Sequence, residues 1–306
     1  MIPVRLAYRV CEQITWSRAR NFSYGIWLLP PAKRRALAAV YALARQIDDI
    51  GDGPLPPDRK LAGLAQARAA LAALIAGYPD SGNPVLLALA DAAHRFDIPL
   101  VAFGELIDGC EADVHAVSYQ SFGDLLHYCR CVAGSIGRLS LGVFGSRDPE
   151  AAAPLADSLG VALQLTNILR DIAEDYHNGR VYLPAEDFEL FGCKLAEQGG
   201  NGSGEKLAAL VRFEADRARA WYAAGLALMP LLDRPSATCT GTMAAIYLRL
   251  LERITAAPAT VLSTRVSLSA PEKALAAASS LARAVRPSGP RVPRSTARPQ
   301  GPESVR

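Results

Sequence analysis

The segment Gln164-Leu-Thr-Asn167-Ile-Leu-Arg170-Asp171-Ile-Ala-Glu174-Asp175 sets the hardest condition on how this chain can fold. Steps of three, four and four residues lead from Gln164 to Asn167, Asp171 and Asp175, so these side chains form one row along a helix. The rest of that helix is apolar: Val161, Leu163, Leu165, Ile168, Leu169 and Ile172. Flanks of that kind drive the helix into a core and take the polar row with them. Carboxylates buried in this way need cations. The chain must therefore enclose a polar cavity that can accept positive charge.

A second row lies about 120 residues earlier, in Tyr41-Ala-Leu-Ala-Arg45-Gln-Ile-Asp48-Asp49-Ile-Gly-Asp52. At 100° per residue, Tyr41, Arg45, Asp48 and Asp52 share one helix face, and Asp49 points about a quarter-turn away. Asp48 and Asp52 are like charges one turn apart, which an isolated helix resists. Arg45 or a bound metal can offset them. One such pair is ordinarily a solvated surface feature; two, each with an amide or Arg one turn before the acids, point to a shared cavity. Carboxylates without histidines or thiolates suit hard cations, Mg²⁺ first and Mn²⁺ as a substitute. Mg²⁺ held by few carboxylates completes its shell with water and substrate phosphate, so a diphosphate substrate is expected. Arg18, Arg20, Lys33, Arg34 and Arg35 are either phosphate partners near the first row or ordinary helix-end charges. Phe22, Tyr24, Tyr41, Tyr128, Tyr182 and Tyr247 are either core or aromatic walls that stabilise a carbocation.

Apolar residues recur at helical steps throughout, and no alternating strand pattern is evident. Helices are expected near 5–18, 31–51, 57–77, 84–96, 99–114, 121–144, 149–177, 204–230, 236–256 and 270–284. Pro31, Pro84, Pro99, Pro149 and Pro271 mark first helical positions, Asn83 and Asp148 N-caps, and Ser121 with Asp124 a capping box. The glycine-rich segment 199–204 has no preceding strand and no closing Lys-Ser/Thr, so it reads as a surface loop rather than a phosphate loop. The net charge of +3 is uneven: residues 286–306 carry five arginines against one acid, leaving the remainder near −1. That tail, with five prolines, is expected to be disordered, and the body offers no nucleic-acid surface. Its arginines could touch anionic lipid, but a solvated tail is the plainer expectation. Six scattered cysteines and no leader-like N-terminus suggest reduced thiols in the cytoplasm. The longest uncharged apolar run, Ala220 to Leu232, is too short to span a bilayer.

Together these residues resemble the squalene/phytoene synthase family of head-to-head prenyl diphosphate synthases. The resemblance covers about residues 5–280. It rests on Phe22-Ser-Tyr24, on the two acidic segments, and on Tyr128-Cys-x-x-Val132-Ala-Gly-Ser-Ile-Gly137 between them. Gly179-Arg-Val-Tyr182-Leu-Pro184 extends it, with a weaker echo in Arg265-Val-Ser-Leu-Ser269. Ala19-Arg20-Asn21 departs from the family's Ser-Lys-Ser, though Arg20 keeps the positive charge.

The resemblance implies an all-α, isoprenoid-synthase-type bundle around a central cavity, with residues 1–285 as one catalytic domain. It implies that Asp48, Asp52, Asn167, Asp171 and Asp175 hold Mg²⁺. Arg18, Arg20, Asn21, Phe22, Tyr41, Arg45, Gln164, Arg170 and Tyr247 would bind substrate. Tyr128 would sit beside the reacting carbons, either as proton acceptor or as cation stabiliser. Ala19 to Gly25, Asp48 to Gly53 and Glu105 to Asp113 are most similar to bacterial presqualene diphosphate synthases of hopanoid-type pathways. The expected reaction is condensation of two farnesyl diphosphates. The alternative is phytoene synthesis from geranylgeranyl diphosphate in carotenoid formation. NADPH is needed only if the reaction runs on to squalene. Peripheral membrane contact and a downstream pathway enzyme are the further partners expected. A non-catalytic binding or assembly relative should have lost carboxylates from one row, and both are complete here.

Overall fold

The expected punctuation starts the helices that begin at Pro31, Pro84, Phe122, Pro149 and Ala270. The computed structural model describes residues 2–19, 23–195 and 203–285, which form α1 (Val4–Arg18), α2 (Ser23–Ile26), α3 (Pro31–Asp52), α4 (Pro57–Ile75), α5 (Pro84–Arg95), α6 (Ala102–Val114), α7 (Phe122–Cys129), α8 (Ser135–Phe144), α9 (Pro149–His177), α10 (Ala185–Phe191), α11 (Ser203–Gly225), α12 (Arg234–Ala256) and α13 (Ala270–Val285). Asn83 Oδ1 accepts from the amides of Val85 and Leu86, Asp148 Oδ1 from that of Ala151, and Ser121 with Asp124 completes a reciprocal capping box. Pro99 is the exception: a turn separates it from α6, which begins at Ala102. Among the described residues there is no strand. The glycine-rich segment falls mostly within 196–202, and the Pro/Arg-rich tail at 286–306; both lie outside the described residues.

Two expected helices are not uniform. The segment 121–144 passes through a π-helical stretch, Arg130–Gly134, between α7 and α8, and 204–230 ends in a 3-10 segment, Leu226–Leu231. A π stretch shifts side-chain phase by one residue, and such insertions recur at functional sites.

The helices bury two apolar clusters. One gathers Cys11 of α1, Ala39 of α3, Leu64 of α4, Leu89 of α5, Phe103 of α6 and Leu139 of α8. The other gathers Leu125 of α7, Leu165 and Leu169 of α9, Leu210 of α11 and Ile254 of α12. Val132 and Met229 pack against both. Burying each Leu or Ile of α9 stabilises the fold by about 1.5–3 kcal/mol, enough to hold its polar row inside.

Glycines let α8 and the π stretch lie against α9 backbone to backbone. A Cβ on Gly160 would lie 2.3 Å from the carbonyl oxygen of Ala133, and one on Gly137 2.3 Å from that of Ala156. We expect Gly160→Ala to destabilise the protein by about 1–3 kcal/mol, lowering Tm by several degrees. An unchanged Tm in thermal unfolding would show that these backbones do not touch.

Candidate active site

A cavity opens between α3, α6, the π stretch, α8, α9 and α12. Its walls are largely apolar, with Ile26, Leu37, Val40, Val132, Ile136 and Leu141 among them. Its polar end is made of Tyr41, Arg45 and Asp48 from α3 facing Gln164 and Asn167 from α9. Part of each row therefore lines one space, while Asp52, Asp171 and Asp175 are not among its lining residues.

On α3, burial and the neighbouring Asp52 charge push Asp48 up to about 7, against the opposing pull of Arg45. The thiol of Cys110 lies 3.8 Å from Asp48 Oδ1. Arg45 turns its guanidinium to Asp49, the residue off the row, and leaves its buried Nε without a hydrogen-bond partner. Tyr41 is pushed up to about 12, chiefly by burial.

On α9, Asn167 Nδ2 donates to Gln164 Oε1 at 3.3 Å, while Asn167 Oδ1 is buried and unpartnered. Asp171, one turn on, accepts from Arg170 Nε at 2.8 Å and pairs with Arg265 Nε at 2.9 Å. Arg265 also reaches Glu174 at 3.2 Å. Arg170 carries a further hydrogen bond to the buried Tyr247. Burial and Asp171 push Asp175 up to about 7.

Past α9 the chain turns through Gly179, whose φ of 74° suits a residue without a side chain. The Arg180 amide then donates to the carbonyl of Asp175 at 2.8 Å, and its guanidinium reaches across to Asp52 at 3.0 Å. This ion pair ties the end of one acidic row to the other. The same loop brings Tyr182 to Asp113 at 2.7 Å, and Tyr128 donates to the other oxygen of Asp113 at 2.9 Å.

For the cations at the start of α3 the structure favours the plainer of the two readings, helix-end charges with other partners. Lys33 binds Asp233 at 2.6 Å and Ser236 at 3.1 Å, Arg34 lies over Trp27 at 5.2 Å, and Arg35 is 3.9 Å from Glu12. They occupy the first turn of α3, whereas the acids lie at its far end, roughly 20 Å away at 1.5 Å per residue. The cations that serve the acids are Arg45, Arg170, Arg180 and Arg265. Arg18 is exposed at the end of α1, and Arg20, Asn21 and Phe22 lie outside the described residues. Tyr128 is buried beside Tyr119 and Tyr182, and the cavity wall one turn beyond it is Val132. Arg180, Arg265 and Asp113 lie in segments that carry the resemblance, but no role in the site was assigned to them from sequence. Arg180 sits in the turn that follows the acidic row, a usable signal; Asp113 belongs to no periodic pattern.

The donor set suits a hard cation. Two carboxylates held near neutrality by burial and like charge, and an unpartnered amide oxygen beside them, lack positive charge. Among the described residues no three acidic, cysteine or histidine side chains converge tightly enough to grip a metal alone. Arginines hold the acids apart in pairs, so a cation bound here would draw further ligands from phosphate and water.

A profile of the squalene/phytoene synthase family matches residues 17–272. The chain belongs to the squalene/phytoene synthase family. Members are prenyltransferases that join prenyl diphosphates head to head and use divalent metal for those substrates, so this chain is a prenyltransferase. A phytoene synthase of Mycobacterium tuberculosis is 48% identical over 288 residues, covering 93% of this chain and 94% of that protein. A 15-cis-phytoene synthase of Synechocystis is 34% identical, over 89% of this chain and 83% of its own. Among solved structures, a dehydrosqualene synthase with ligand superposes with a TM-score of 0.84 at 28% identity, covering 92% of this chain and 97% of its own. The squalene synthase HpnC of Alicyclobacillus acidocaldarius gives 0.75 at 30%, over 83% and 95%. The all-helical bundle is thus the isoprenoid-synthase type, as the resemblance implied.

Proposed function

We propose that this enzyme is a phytoene synthase that condenses two geranylgeranyl diphosphates in a Mg²⁺-dependent reaction, within one catalytic domain over residues 1–285. The observation that carries this reading is the 48% identity, through 93% of the chain, to a protein named phytoene synthase. It favours the geranylgeranyl alternative over the farnesyl donor and presqualene diphosphate product first expected from sequence. The squalene-type structures share 28–30% identity and support the common chemistry. Phytoene forms by proton loss, so this reading requires no NADPH.

Asp48 and Asp52 from one side, and Asn167, Asp171 and Asp175 from the other, would hold the metal, with Mn²⁺ a workable substitute. Bound there, Mg²⁺ supplies positive charge to the departing diphosphate. The unpartnered Nε of Arg45 points to a phosphate oxygen, with Gln164, Tyr41, Tyr247 and Arg170 around it. Arg180 and Arg265, paired here with Asp52 and Asp171, would be free to bind phosphate if those acids held a metal instead. Arg18, Arg20, Asn21 and Phe22 complete the substrate contacts. Prenyl chains lie along the apolar wall, which excludes water from the cation. Tyr128, buried one turn from the cavity-lining Val132, would meet the reacting carbons from behind that wall.

Among the described residues no helix is long and apolar enough to cross a membrane. A hydrocarbon product nonetheless favours a peripheral membrane position in the cytoplasm and a downstream enzyme that takes phytoene up. Incubation of the purified protein with geranylgeranyl diphosphate and Mg²⁺, without NADPH, should yield phytoene. Accumulation of presqualene diphosphate from farnesyl diphosphate, with no C40 product from the longer donor, would overturn the assignment.

A further inference from the structure

Asp113, one residue from the end of α6, belongs to neither acidic row, yet it stands between them. Its charge is felt by Asp48 and Asp175, and Asp52 and Arg180 act on it in turn. Each of its oxygens accepts one phenol: Tyr128 at 2.9 Å and Tyr182 at 2.7 Å. The two phenol rings stack with centroids 5.2 Å apart. Tyr182 thus holds the carboxylate so that its second oxygen remains on Tyr128.

A phenol alone is a poor resting place for a proton, because accepting one makes an oxonium. A phenol that passes its own proton to a carboxylate behind it avoids that charge. Burial and the Asp113 charge also raise Tyr128 well above the ordinary phenol value, which keeps it protonated and unable to act as a free phenolate.

We propose that Asp113 receives, through Tyr128, the proton that the prenyl carbocation sheds. The C–H bond two carbons from the cationic carbon breaks, and its electron pair closes a three-membered ring onto that carbon. The proton joins the Tyr128 oxygen as that phenol's own O–H bond breaks, and the second proton goes to Asp113. Tyr128 begins and ends neutral, Asp113 ends neutral, and no oxidant or reductant is needed. Asp113 acts through Tyr128 and is a positioning residue rather than a substrate contact. The inference rests on the site being a head-to-head condensing centre with Tyr128 beside the reacting carbons.

The test is the ratio of diphosphate released to condensed product, which is two for a coupled turnover. In Asp113→Asn the metal-binding rows are intact, so ionisation continues. Condensed product should fall about 100-fold relative to diphosphate release, and prenyl alcohol should appear as water captures the cation. Asp113→Glu should restore part of the coupling. A parallel loss of diphosphate release and product at an unchanged ratio would overturn the relay and leave only a structural clamp. An intact ratio with weakened Mg²⁺ affinity would also overturn it, making Asp113 a metal ligand. Should Asp113→Asn fail to fold, Tyr128→Phe keeps the carboxylate, cuts the relay and must raise the same ratio. The ratio is read on whichever prenyl diphosphate the wild-type enzyme condenses. A farnesyl-specific enzyme would therefore sink the phytoene assignment without touching this one.

Discussion

Asp171→Ala and Asp48→Ala should each lower turnover at least about 1,000-fold while leaving the helical circular dichroism signal unchanged. Asp48 lies at the polar end of the cavity, and Asp171 is gripped by both Arg170 and Arg265. Loss of either removes one side of the charge that would hold a cation against a departing diphosphate. The fold tolerates the change because α3 and α9 are secured by their buried Ala, Leu and Ile residues rather than by the acids. Near-normal turnover in either variant would remove the metal-site reading.

The second large effect is a pH dependence of stability that metal should reverse. With a chelator present, Asp48 has a folded-state value near 7 against an ordinary 3.8, so the folded protein retains a proton that the unfolded chain releases. The stability this confers is greatest at acid pH and is lost as pH rises towards 7. The whole gap is worth about 4 kcal/mol, of which about 2 kcal/mol falls between pH 5.5 and 8. Asp175, raised in the same sense but less deeply enclosed, adds a smaller contribution. Metal-free protein should therefore melt several degrees higher at pH 5.5 than at pH 8. Mg²⁺ prefers the ionised carboxylates, so its stabilisation should be larger at pH 8 and close or invert that difference. A metal-free Tm that climbs between pH 5.5 and 8 would contradict the buried, mutually repelling acids.

The parts of the site that were legible in the sequence are those carried by helical periodicity. Gln164, Asn167, Asp171 and Asp175 fall at steps of three and four, and so do Arg45, Asp48 and Asp52. Proline and capping residues located the starts of α3, α5, α7, α9 and α13 for the same reason, since their effect acts within one turn. Short elements escaped notice: α2 and α10 span one or two turns, too few for a pattern to repeat. The π stretch escaped because it depends on which amide meets which carbonyl, not on residue type. Chain length of the substrate was read in favour of farnesyl from local motifs, whereas similarity over the whole chain favours geranylgeranyl.

Two rows of carboxylates on apolar helices pointed to a common cavity, because buried acids need cations, but spacing alone did not make the rows face each other. Which cations attend them was a matter of distance in space. Lys33, Arg34 and Arg35 lie within 20 residues of Asp52 yet serve other partners, while Arg180, 128 residues away, binds it. Asp113 is a sharper case: one of four acids on α6, it became the shared acceptor of Tyr128 and Tyr182 only when three separate segments packed together. Periodicity places residues along one helix. Contacts between helices depend on close packing, here on glycines such as Gly160 that let two backbones meet.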